Sequence, residues 1–171
     1  MKIPQGKSLV ELLACLAIAI TLACTTTPAL FDLADRNRQT QWTNQMLAML
    51  HNARSQAALG KRPISLCAGT LTCNRNTNWQ HSVLTFIDVN GNGSFDANDK
   101  IEQTLALPAG ASWQWSAPLR KPHLTYQPDG TTKALNGTLT LCLSGKAVRQ
   151  IKISISGRVR TQDPQLSTTC S

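Results

Sequence analysis

The chain has 171 residues, which is enough for one membrane segment and one small domain with its own core. Seventeen Lys and Arg against nine Asp and Glu give a formal net charge of +8. This bias favours polyanionic partners, although a solubilising surface produces the same charge. No C-x-x-C pair or Cys/His cluster supports a metal site, and His51, His81 and His123 have no nucleophile near them in the sequence. We therefore expect neither an enzyme nor a cofactor.

The N-terminus combines a short basic leader with a long uncharged run. No side chain from Leu12 to Phe31 is charged, and a run of about 20 residues is long enough to span a membrane as a helix. A cleaved secretory signal fits poorly, because the run is long and Glu11 interrupts its start. A lipoprotein signal would use Cys15 or Cys24. The first has almost no apolar segment before it, and the second has no aliphatic residue three positions earlier.

The stretch "QGKSLVELLACLAIAITLA" (residues 5–23) resembles the class III signal of type IV pilins and pseudopilins. In that family a prepilin peptidase cuts after a Gly, the new N-terminus is methylated, and the fifth mature residue is Glu. The resemblance implies a leader of residues 1–6, cleavage between Gly6 and Lys7, and methylation of Lys7. It also implies that Glu11 pairs with the amino terminus of a neighbouring subunit, rather than lying passively at headgroup depth.

A second helical pattern follows the uncharged run. Its apolar residues form one stripe along the helix: Trp42, Met46, Met49, Leu50, Ala53 and Ala57. Gly60 is suited to end the helix. We expect a single stem helix that is transmembrane over residues 7–31 and amphipathic over residues 32–60.

Residues 61–171 predict a β-rich head. The candidate strands are residues 64–68, 81–89, 101–107, 112–116, 123–127, 138–144 and 148–160, with Gly145 and Lys146 at the tip of a hairpin. In the last strand Ile151, Ile153, Ile155 and Val159 alternate inward. The fold class is therefore α+β: a long N-terminal helix packed against a C-terminal antiparallel sheet.

Four cysteines lie beyond the stem and allow three pairings. An exported domain with two disulfides is the simplest account. We choose Cys67–Cys73, which closes the short loop "CAGTLTC", and Cys142–Cys170, which ties the C-terminal tail to a strand.

Three segments of the head resemble a narrower group, the GspH/FimT pilin subfamily. They are "NWQHSVLTFIDVNGNGSFDANDKI" (78–101), "HLTYQPDG" (123–130) and "GTLTLCLSGKAVRQIKISISGRVR" (137–160). The resemblance implies a minor pilin held in the inner membrane by a single pass with its head in the periplasm. The pilin would assemble with major and minor pilins into a pilus at the cell surface.

The run "DVNGNGSFDAND" follows the spacing of a calcium loop, although Asp rather than Glu ends it and strands flank it. The alternative, which we favour, is a turn whose side chains bond their own backbone. The candidate ligands are Asp88, Asn90, Asn92, Asp96 and Asp99.

The C-terminal region is the most basic, with eight basic and two acidic side chains in residues 120–171. In the FimT branch a Gly-Arg-x-Arg segment is implicated in DNA binding during natural transformation, and this chain reads Gly157-Arg158-Val159-Arg160. On one strand Lys152, Arg158 and Arg160 would share a face. There the two arginines could bridge successive phosphates. The alternative is that they are solvated side chains on an edge strand. Lys146, Arg149, Arg120 and Lys121 could widen the patch. We expect DNA binding; the alternative is a structural minor pseudopilin of a type II secretion system.

Overall fold

The computed structural model describes residues 9–165 and 167–170, without the side chains of residues 24–29. The predicted cleavage and methylation site, Gly6 and Lys7, lies outside these residues. The described part contains one helix, α1 (Leu9–Gly60), and nine strands: β1 (Ile64–Ala68), β2 (Asn78–Gln80), β3 (Ser82–Ile87), β4 (Lys100–Ala106), β5 (Ala111–Ser116), β6 (His123–Tyr126), β7 (Gly137–Leu143), β8 (Lys146–Ile153) and β9 (Val159–Gln162). The chain divides into two compact units, up to Thr40 and from Gln41 onward.

The first unit contains the N-terminal part of α1. Its large apolar side chains are exposed, from Leu9 at 74% to Leu16 at 51%, and Glu11 lies in the first turn. Over the described residues, no part of α1 is both long and apolar enough to cross a membrane. The structure does not describe residues 7–8 or the side chains of residues 24–29. The transmembrane segment predicted over residues 7–31 therefore stays a prediction.

The second unit contains the rest of α1, which lays one apolar face on the head. Five of the six predicted stripe residues are buried, and the sixth, Trp42, packs against the same core. The core also takes side chains from both sheets, including Leu66, Leu124, Leu139 and Ile151. Burying a side chain of this kind stabilises a fold by about 1.5–3 kcal/mol. The head is therefore built around the amphipathic stripe, as predicted.

Two antiparallel sheets make up the head. The first has the strand order β4-β3-β1-β6 and the second β2-β5-β7-β8-β9. The chain moves from the second sheet to the first at His81, whose left-handed φ of 64° separates β2 from β3. The sequence did not predict β2 because three residues are too few to show alternation.

The predicted strand over residues 148–160 is wrong in one respect, since it is two strands joined by a turn. Strand β8 ends at Ile153 and β9 begins at Val159. Ile155, expected to point inward, lies in the turn and is 60% exposed, while Val159 still packs against the core. The preceding hairpin turns at Ser144 and Gly145, one residue earlier than predicted. Both residues have positive φ, as a two-residue hairpin loop requires.

Both predicted disulfides are confirmed. Cys67–Cys73 closes the loop after β1, and Cys142–Cys170 attaches the C-terminal tail to β7. The amide of Gln150 on β8 also donates to Thr168 Oγ1 at 3.4 Å. The tail is thus held against the second sheet at two points.

Candidate functional site

The turn between β8 and β9, residues 154–158, carries the Gly-Arg-x-Arg segment. Gly157 N donates to Ser154 O at 2.8 Å, and Ser154 N donates to Arg158 O at 2.9 Å. The Ser154 hydroxyl accepts from Arg158 N at 3.1 Å. These bonds close a tight turn in which Gly157 takes a left-handed conformation, with φ 74°. Glycine adopts this conformation without steric cost because it has no Cβ atom.

Gly157 is required by its neighbours as well as by its φ. A Cβ atom at this position would lie 2.0 Å from the carbonyl oxygen of Gly130. Above this contact, Arg54 of α1 donates from Nε to Gly130 O and from Nη2 to Ser156 O, each at 3.1 Å. The glycine of the motif therefore shapes the turn and lets the stem helix hold it.

Three of the predicted basic residues meet at this turn. Lys152 on β8 is paired in register with Arg160 on β9, so the two side chains are cross-strand neighbours on one face. Arg158 comes two residues before Arg160, and all three side chains are exposed. They line one concavity of about 590 Å³, together with Asn136, Ile153, Ser154, Ile155 and Ser156. The predicted arrangement along a single strand is wrong, because the turn brings the cations together across two strands.

None of these three cations has an acidic partner within salt-bridge distance in the part of the chain that the structure describes. The ion pairs found there are Arg38–Asp35 and Arg149–Asp163. A cation without an internal partner is available to an external anion, since no existing ion pair has to break. We call Lys152, Arg158 and Arg160 the basic cluster.

Two other predicted residues lie elsewhere. Lys146 stands at the far end of β8, six residues from Lys152 and so roughly 20 Å along the strand. Arg149 is paired in register with Leu141, a core residue, and thus lies on the face opposite Lys152. Its guanidinium bonds Asp163. The structure does not bring either residue into the basic cluster.

The polar loop between β3 and β4 uses its carboxyl groups internally. Asp88 is fully buried, and its oxygens accept from Ser65 Oγ at 2.7 Å, Gly93 N at 2.7 Å and Asn92 N at 3.0 Å. Asp99 accepts from the amides of Val89 and Asp96. The loop has the geometry of the self-bonded turn that the sequence favoured. No group of three or more His, Cys, Asp or Glu side chains in the described residues is arranged to hold a metal ion.

Asp96 lies at the surface of this loop. Hydrogen bonds from the Asn98 amide and then from the Asn90 side chain hold the pKa of its carboxyl below the usual value. Asn92 also donates to the same carboxyl group, at 3.3 Å. Asn90, Asn92 and Asp96 thus bond one another instead of presenting free oxygens on one side.

Two comparisons with known proteins, one with family profiles and one with solved structures, find similarity to this chain. The profile of the family described as Type II transport protein GspH matches residues 43–157. Two crystal structures of the type IV minor pilin FimU of Pseudomonas aeruginosa PAO1 are similar to the chain. One has a TM-score of 0.57 at 25% identity, over 80% of this chain and 95% of that chain. The other has a TM-score of 0.53 at 24% identity, over 74% and 93%.

The comparison with curated protein sequences returns no match. The family profile covers more than half of the chain, including the last third of α1 and most of the head. The resemblance that the sequence motifs indicated is therefore confirmed over residues 43–157. The chain belongs to the GspH family, as a FimT/GspH-like minor pilin.

Proposed function

We propose that this minor pilin assembles into a type IV pilus and binds extracellular DNA through its basic cluster during natural transformation. One observation carries the proposal: Lys152, Arg158 and Arg160 are exposed, line one concavity and have no acidic partner among the described residues. Arginine suits this role because its planar fork of donors matches a phosphate. Phosphate contacts carry no base information, so binding is tolerant of sequence and sensitive to salt.

The proposal includes the anchoring and assembly of the chain. A prepilin peptidase cuts after Gly6, Lys7 becomes the methylated N-terminus, and the apolar run holds the chain in the inner membrane with its head in the periplasm. The exposed apolar side chains of the first unit support this role, because such a surface needs lipid or neighbouring pilins to cover it. Glu11 then pairs with the amino terminus of the next subunit.

A second candidate function is that of a structural minor pseudopilin in a type II secretion system, without DNA binding. The family profile supports it, since the family is described by type II transport and the match ends at Gly157, just before the two arginines. The two candidates share the N-terminal features and the fold. They differ in whether the basic cluster has a ligand.

The experiment compares two double variants of equal charge. Arg158→Ala/Arg160→Ala removes two cations of the basic cluster. Arg75→Ala/Lys100→Ala removes two exposed cations outside it, one in the loop between β1 and β2 and one at the start of β4. Binding of the full chain in nonionic detergent to fluorescent duplexes of unrelated sequence is measured by anisotropy at physiological salt. The first variant should lose most binding and the second should keep it. Equal binding by the wild type and both variants would favour the pseudopilin.

A further inference from the structure

A second concavity adjoins the one at the basic cluster. It measures about 370 Å³ and shares three residues with the first, Asn136, Lys152 and Ile153. Its remaining lining comes from the end of β5 and the start of β7: Ser116, Ala117, Pro118, Gly137 and Thr138. The two concavities therefore form one groove, which runs from the turn at residues 154–158 to the loop after β5.

The register of the sheet fixes the length of this groove. Ser116 pairs with Thr138, Thr138 with Lys152, and Lys152 with Arg160, so four side chains form one row across β5, β7, β8 and β9. Three gaps between strands at about 4.8 Å each give roughly 14 Å. This equals the rise along the helix axis of about four nucleotides of one DNA strand, at 3.4 Å each. The groove can thus follow a stretch of backbone rather than a single phosphate.

Two basic residues follow the far end of the groove in the chain. Residues 117–120 form a turn in which Arg120 N donates to Ala117 O at 3.0 Å, and Arg120 has a positive φ of 48°. Pro118 lines the groove, and Arg120 and Lys121 follow it with exposed side chains. Residues 103–128 contain no acidic side chain that could neutralise them locally.

We propose that Arg120 and Lys121 form a second phosphate-binding end of the groove, beyond Ser116, which lies roughly 14 Å from Arg160 across the sheet. This inference rests on the proposed function and extends it, because it assigns the ligand a path. The ligand is an extended polyanion whose phosphates meet cations at both ends. Between them, the hydroxyls of Ser116 and Thr138 and the amide of Asn136 offer neutral donors of the kind that position a backbone.

The test is the salt dependence of DNA binding by the full chain in nonionic detergent. The variant is Arg120→Asn/Lys121→Ala, since Asn tolerates the left-handed conformation at position 120. Losing two phosphate contacts should make the slope of log K against log salt shallower by about 1.8. The affinity for a fluorescent duplex should fall at least about tenfold at 0.1 M salt. The matched control, Arg75→Ala/Lys100→Ala, should keep the wild-type slope.

The outcomes separate this inference from the function on which it rests. An unchanged slope for Arg120→Asn/Lys121→Ala, with binding lost in Arg158→Ala/Arg160→Ala, would overturn the second end and leave DNA binding standing. Unimpaired binding by Arg158→Ala/Arg160→Ala would overturn the proposed function itself. An equal change in the control would show that net charge alone sets the slope and would also overturn the inference. Unfolding melts of each variant confirm that the head is intact.

Discussion

Two polar segments of the head, the loop of residues 88–99 and the turn of residues 154–158, use their charged groups in opposite ways. In the loop, Asp88 and Asp99 accept hydrogen bonds from the chain itself, and Asp88 is fully buried. In the turn, the hydrogen bonds are made by the backbone, a serine and Arg54, while Arg158 and Arg160 remain exposed. Charged groups that bond within the chain stabilise the fold, and charged groups left unpaired at the surface are available to bind a ligand.

The packing around each segment explains this difference. The loop covers the outer face of the first sheet, where Phe95 meets Phe86 edge to face at 5.4 Å and Gly93 lies against the ring of His123. Burial lowers the pKa of His123, partly opposed by the nearby Asp88. The turn of residues 154–158 ends a hairpin beside a groove and covers no such cluster. Its side chains therefore stay in solvent.

The largest expected effect is on the loop. Replacing Asp88 by Ala removes three hydrogen bonds to a buried carboxylate and leaves the Gly93 amide without an acceptor, while Ser65 Oγ keeps Thr125 Oγ1 and the Asn92 amide keeps Asn90 Oδ1. We therefore expect a loss of about 3–5 kcal/mol in the free energy of unfolding. Asp96→Ala, the same change at the loop surface, should cost clearly less, because the hydrogen bonds of this carboxyl group are exposed to solvent. Urea denaturation measures both. Equal losses would show that burial of the carboxyl group does not matter.

The second effect concerns the backbone of the turn. Gly157→Ala combines a left-handed residue with a Cβ atom only 2.0 Å from Gly130 O, so it should destabilise the head by about 3 kcal/mol and weaken DNA binding. Gly91→Ala has a similar φ of 70° but no neighbour within 4 Å, so it should cost about 1 kcal/mol. The difference between the two variants in thermal unfolding isolates the contact with Gly130. Equal costs would mean that the turn moves freely.

The smallest effect sharpens the comparison among the cations. Arg149 already bonds Asp163 and lies on the other face of the sheet, so Arg149→Ala should leave DNA affinity within about twofold and stability within about 0.5 kcal/mol. Lys152→Ala, on the same strand, should flatten the salt slope by about 0.9. A larger loss of binding in Arg149→Ala than in Lys152→Ala would show that DNA binds the face of the second sheet that carries Arg149, and would contradict the proposed site.

The sequence predicted those features that depend on local pattern. The stripe from Trp42 to Ala57 and the inward Leu139 and Ile151 follow from spacing and alternation. The two disulfides were a choice among three possible pairings, and the structure contains the chosen one. The break after Ile153 was missed, because a strand and a tight hairpin with Gly157 at its turn share the same alternating letters. The contact of Arg54 with Gly130 and Ser156 was missed as well. It joins positions 76 and 102 residues apart, and no local pattern records it.

The account's central claim is that the basic cluster meets DNA phosphates as separate, unpaired cations. The most direct measurement is the slope of log K against log salt for the wild-type chain on duplex DNA. Three contacts, by Lys152, Arg158 and Arg160, predict a slope of about −2.7, and two more at Arg120 and Lys121 predict about −4.5. A slope near zero, or no binding at low salt, would contradict the account and leave a structural pseudopilin.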